Sequence, residues 1–293
     1  MTSAAHARLT RLTGRPWWQP AAVLVIAAAA LGLALLVPRL FSDPVGVDPY
    51  VLRLSAVATA LALASLLWAR LRTSRPILLA VAAMTTSFSL FAGGPQWIAN
   101  ASGSRFDFNT QVLIASVAQA ALTIALAVLA VRLSPAHLRP LLRVRRFGLS
   151  AQIATVVGTL AFLLIVMLLP ATLLGRQGIA PIALARDLPL QGPADALQGF
   201  AQELQFRGLL MGALDRVAPP WAANLGQAAF FGLAHIAVQY QGPADAFVPV
   251  TIALGWVFGW ITQKTGSLWP AIIIHAMADV AVTVGVIPGL YGY

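Results

Sequence analysis

Apolar runs recur along this chain, separated by short polar stretches rich in arginine. About nine can be marked, near residues 21–37, 54–69, 77–92, 111–131, 149–174, 195–216, 220–240, 246–263 and 268–288. Their lengths approach the roughly 20 apolar residues that carry an α-helix across a bilayer. A backbone in lipid must satisfy its own hydrogen bonds, and the alternating pattern of a membrane β-barrel is missing, so the runs predict helices. The expected fold is all-α: a polytopic transmembrane helical bundle of about nine spans, with a polar cavity formed by the C-terminal helices.

Charge orients this bundle. The N-terminus carries Arg8, Arg11 and Arg15, the loop after the second run Arg70, Arg72 and Arg75, and the loop after the fourth Arg132, Arg139, Arg143, Arg145 and Arg146. The intervening loops mix arginine with Asp43, Asp48, Asp107, Asp187 and Asp195. A basic excess on every second loop predicts a cytoplasmic N-terminus, with the first run an uncleaved anchor. Trp17, Trp18, Trp97, Trp221 and Trp269 fall near run ends, as interfacial anchors do. Residues 175–196, with three prolines, read as a connector.

Composition narrows the class. Hydrophobic residues make up 59% of the 293 and charged residues 10%, with a mean hydropathy of +0.81, far from a soluble domain. The formal charge of +10 belongs to arginines between apolar runs, so it reads as topology and not as nucleic-acid binding. Eighteen of the nineteen basic residues are Arg. With the abundance of Ala, that suggests a GC-rich bacterial source and hence a bacterial plasma membrane. With no cysteine, thiolate and disulfide chemistry are excluded. Ionisable groups are scarce inside the first four runs. The chain therefore divides into an N-terminal scaffold, 1–147, and a core, 148–293, that holds the candidate chemistry.

Three polar constellations lie in that core. Gln202-Glu203-Leu204-Gln205-Phe206-Arg207 holds the only glutamate of the chain, four residues before an arginine. Phe231 and His235 are four apart, as are His275 and Asp279. On an α-helix such pairs share a face. Each pair alone is ordinary: a helix-stabilising ion pair, an interhelical histidine, an isolated His–Asp contact. Ionisable groups at membrane depth on three separate runs are a functional site by default. No HExxH metal helix and no Gly-x-Ser-x-Gly elbow is present, which leaves water activated by a carboxylate and an imidazole. With these limits Gln202 and His235 fall nearer the outer side and His275 nearer the inner side.

The segments QELQFRG, FFGLAH and SLWPAIIIHAMAD resemble, in order, the three signature motifs of the CPBP family, the CAAX-protease and bacteriocin-processing (Abi) intramembrane endopeptidases. The resemblance covers about residues 195–288. It implies hydrolysis of a peptide bond in a membrane-associated peptide, lipidated or bare. It implies that position 202 and His235 activate water, that His275 and Asp279 form the oxyanion side, and that Glu203 and Arg207 support the pocket. It names no certain cofactor, a divalent metal such as zinc being the one candidate. Its partners are membrane lipid and a peptide or lipidated peptide, with the oligomeric state open.

One departure falls on the water-activating position. The family has Glu where this chain has Gln202, and an amide cannot take a proton from water at neutral pH. The chain is therefore expected to be catalytically impaired, as an engineered Glu-to-Gln form or as a natural pseudoenzyme. The otherwise intact motif set favours the first. Two rival readings remain: a non-enzymatic binding or immunity protein, and a proton-coupled transporter using Glu203, His235 and His275. The missing internal repeat counts against the transporter.

Overall fold

A computed structural model describes residues 47–103, 105–134, 147–174, 181–236 and 244–286, together with Trp18 and Val25. Apart from Val25, the run at 21–37 lies outside the described residues, as do all the arginines of the N-terminus and of 135–146. All regular elements among the described residues are helical. They are α1 (Val47–Leu67), α2 (Arg75–Ser102), α3 (Phe108–Leu133), α4 (Leu149–Leu174), α5 (Pro181–Glu203), α6 (Pro220–Ile236), α7 (Ala244–Thr265) and α8 (Trp269–Val280). π-helical turns continue α5 (Leu204–Leu210, then α-helical Met211–Leu214) and α8 (Ala281–Val286).

Local chemistry sets the ends. Asp107 caps α3: its carboxylate accepts from the Thr110 backbone N–H at 2.9 Å and the Thr110 hydroxyl at 2.8 Å. With 26 residues, α3 is long and apolar enough to cross a membrane, spanning about 39 Å at 1.5 Å per residue. Shorter apolar helical stretches are Ser55–Leu67, Leu149–Ile165 and Trp269–Thr283. Gly266, at φ +65°, ends α7, since that left-handed conformation costs a side chain most. Pro270 then occupies the first turn of α8, where a missing N–H removes no helix bond.

The described residues form two compact units. The first draws on residues 1–89, 126–142 and 205–260. Within it Arg75 donates to the Ser65 carbonyl at the end of α1 (3.0 Å), and Ser55 donates to the Thr85 carbonyl of α2 (3.1 Å). Gln205 donates to Ser87 at 2.8 Å. Gly255 and Gly259 of α7 face α6: a Cβ at 255 would lie 3.2 Å from Ala228 Cα, and one at 259 would overlap Asn224.

The second unit draws on residues 90–125, 143–204 and 261–293. Here α8 packs on α5 and α4. Small residues allow this: Gly199 of α5 lies against the Ala276 backbone, and Gly158 of α4 against Ile274. The opposite side of α4 exposes Leu149, Ile153, Val156, Leu160 and Leu164, an apolar stripe suited to lipid.

The helices match the apolar runs closely from 149–174 onward, with one correction. Residues 181–203 are helical, not a connector. Pro189 and Pro193 are accommodated inside α5 because both sit on its exposed side. Position 202 therefore lies well inside a helix that runs on through its π turn to Leu214, and not near the start of one.

Candidate active site

In the second unit α5 delivers Gln202 and Glu203, and α8 delivers His275 and Asp279. Glu203 is fully buried, and its Oε1 lies 2.7 Å from His275 Nδ1. A carboxylate oxygen at that distance takes the Nδ1 hydrogen and fixes the ring. The other ring nitrogen, Nε2, is 3.6 Å from Asp279 Oδ2, a charge contact longer than a hydrogen bond. Glu203, 72 residues away in sequence, is thus the closer partner of His275, where the sequence pointed to Asp279 alone. Asp279 is the open end of this chain of contacts, its side chain 26% exposed. Gln202 is buried, and its Oε1 has no hydrogen-bond partner among the described residues.

Sequence reasoning missed a polar stripe on α5. Asp187, Gln191, Asp195, Gln198 and Gln202 recur at helical spacing, and all five are buried. Gln191 donates to Asn109 at 2.7 Å, Asn109 donates to Asp187 at 2.9 Å, and Gln198 donates to Ser116 at 2.8 Å. Asp195 meets a different element, its Oδ2 lying 2.6 Å from Thr283 Oγ1. The spacing was visible in the sequence, but only if this segment is a helix. Near the start of α5, Arg186 grips Asp187 through two bonds of 2.7 Å and holds its carboxyl below the usual range.

Arg207 and His235 belong to the first unit. Arg207 is fully buried in the π turn. Its Nη2 donates to the Gly255 carbonyl at 3.1 Å, and its guanidinium lies 4.4 Å from the Phe231 ring centre and 5.3 Å from that of Phe258. Phe231, the aromatic of the second motif, also meets Phe206 edge-on at 5.1 Å. Gln227 donates to the Gly255 carbonyl at 2.8 Å and Asn224 to the Trp256 carbonyl at 2.9 Å. His235 lies near the end of α6, one turn beyond Phe231.

Each ionisable motif on α5 and α8 is followed by a π turn: Leu204–Leu210 after Glu203, and Ala281–Val286 after Asp279. Such turns are rare and concentrate at functional sites. Their bonds run five residues apart, so the four-residue face rule applied to Glu203 and Arg207 does not carry through this backbone.

Among the described residues no group of three or more His, Cys, Asp or Glu is arranged to hold a metal ion. His275 Nδ1 is already engaged by Glu203.

Residues 194–281 match the family model described as Rce1-like, the type II CAAX prenyl endopeptidases. The match contains all three motif segments and bears out the CAAX-protease resemblance. It supports a protease of the intramembrane class, in keeping with the all-helical fold and the length and apolarity of α3. No curated protein and no solved structure matches the chain.

Proposed function

We propose, on the premise that residues 194–281 are an Rce1-like CAAX endopeptidase region, that the protein is an intramembrane endopeptidase whose present form is impaired by Gln202. The observation that carries this is the buried 2.7 Å contact joining Glu203 of the first motif to His275 of the third. A hydrogen bond to a charged group is worth about 1.5–3 kcal/mol, enough to hold a catalytic imidazole in one orientation.

In the proposed reaction a glutamate at position 202 and His235 take a proton from water. The water oxygen bonds to the scissile carbonyl carbon and the carbonyl becomes an oxyanion. Glu203 accepts from His275 Nδ1, so Nε2, on the Asp279 side, is the nitrogen left to face that oxyanion, and it donates there because His275, flanked by the Glu203 and Asp279 carboxylates, acts as the imidazolium with a hydrogen on both nitrogens. Collapse breaks the C–N bond, and the amine leaves with the proton taken from water. Arg207, stacked among three phenylalanines, supports the first motif's π turn. In the present chain the first step lacks its base, because Gln202 cannot accept the proton.

The wider reading goes with it. The chain is a polytopic bundle of about nine spans with a cytoplasmic N-terminus in a bacterial plasma membrane. Residues 1–147 serve as scaffold and 148–293 as catalytic core. The substrate is a membrane-associated peptide, lipidated or bare. Gln202 itself also favours a second reading, a protein that captures peptides without cutting them.

The test uses the Gln202→Glu protein in liposomes with peptide libraries, prenylated and bare, read by mass spectrometry. Cleavage that disappears on His235→Ala or His275→Ala supports the endopeptidase. Peptide binding without cleavage by the Gln202→Glu form transfers the case to the second reading.

A further inference from the structure

Asp195 stands outside the three motifs, yet it is 1% exposed and joins the same cluster. Its Oδ2 lies 2.6 Å from Thr283 Oγ1, and that hydroxyl oxygen also lies 2.8 Å from the Asp279 backbone carbonyl. A hydroxyl has one hydrogen, and a carbonyl oxygen only accepts. If Thr283 gives its hydrogen to Asp195, its oxygen faces the Asp279 carbonyl with nothing between them. If it gives the hydrogen to Asp279, the ordinary bond back along a helix, Asp195 must be the donor. Both short contacts are satisfied together only when Asp195 Oδ2 bears a proton.

Two further observations agree. Asp195 Oδ1 is buried with no hydrogen-bond partner among the described residues. That is far costlier for a charged carboxylate oxygen than for the carbonyl oxygen of a neutral acid. The charges around it are also mostly negative. Asp279 and His275 of α8 act on it electrostatically, and Glu203 lies two turns along its own helix. α4 and the π turn at Ala281–Val286 bring no ionisable group. Three carboxyls thus share one imidazole.

We infer that Asp195 is a positioning residue of this site, bearing a proton at Oδ2, which through Thr283 holds the turn behind Asp279 and so the His275 arm. Only its use in catalysis rests on the endopeptidase reading.

Infrared difference spectra of the full chain against Asp195→Asn, in detergent at neutral pH, test the proton. The expected result is loss of a carboxylic-acid carbonyl band. Loss of an ionised-carboxylate band instead, or no change in the acid band, overturns the inference. The positioning is read from the His275 ring resonance by nitrogen NMR, assigned with His275→Gln. It should be displaced in Asp195→Ala and return in Asp195→Asn, whose amide N–H can donate to Thr283. An undisplaced resonance in Asp195→Ala overturns the positioning role. If Asp195→Ala does not fold, Thr283→Val makes the same test with the same two outcomes. Neither readout needs turnover, so failure of cleavage and failure of this inference are distinguishable.

Discussion

Gly199→Ala is the substitution whose effect follows most directly from the packing of α8 on α5. A Cβ added there would lie 2.9 Å from the Ala276 backbone nitrogen and 3.1 Å from its Cα. Ordinary contact begins near 3.4 Å, so α8 must retreat by roughly half an ångström, and backbone cannot rotate away as a side chain can. Overpacking of this kind costs about 1–3 kcal/mol, against a gain of up to about 1 kcal/mol for Ala over Gly within a helix. Taken at the middle of the first range, the net loss should be about 1 kcal/mol. Ala276 follows His275, so the same retreat stretches the 2.7 Å Glu203–His275 contact toward the hydrogen-bond limit. Gly158→Ala supplies the comparison, because there the clash is with the end of the Ile274 side chain, which can turn. Thermal unfolding in detergent should rank Gly199→Ala well below Gly158→Ala. In a Gln202→Glu background only Gly199→Ala should lose most of the cleavage rate. A Gly199→Ala protein as stable as the parent would refute the packing argument.

Other expectations are equally concrete. Glu203→Gln keeps the side chain's shape and an accepting oxygen but exchanges a charged bond to His275 for a neutral one, and should lower stability by about 1–1.5 kcal/mol in the same unfolding assay. Arg207→Lys gives up the flat stacking on Phe231 and should cost about 1–2 kcal/mol, whereas a surface Arg→Lys change should cost nothing measurable. The Asp107 carboxyl is held below its ordinary value chiefly by the Thr110 backbone N–H. Its capping contribution is therefore complete above the unfolded value of about 3.9 and is lost as pH falls through the lower folded value. Asp107→Asn caps without titrating and should remove that acid-side step from a stability–pH curve.

The helices could be read from the apolar runs because burial in lipid or protein demands long uninterrupted apolar stretches. Leu149–Leu174 is the clearest case, its limits coinciding with the run. The segment before Glu203 could not, because Pro189, Pro193 and the Arg186–Asp187 pair have the composition of a loop. Their compatibility with a helix depends on an exposed proline side and a local ion pair, both tertiary facts. That one misreading hid Asp195 and its polar stripe. The motif residues were legible as types at fixed spacings. The Glu203–His275 contact was not, since nothing in spacing links residues on different helices. Nor do the π turns leave a trace in hydrophobic periodicity.

In the proposed mechanism, position 202 decides whether this site cuts peptide bonds. The direct measurement compares the present chain with Gln202→Glu on one peptide substrate in liposomes under single-turnover conditions. General-base catalysis is typically worth about 10²–10⁴-fold, so the Glu form should cleave faster by that factor while binding the peptide equally well. Equal cleavage by the two proteins would contradict that role for position 202.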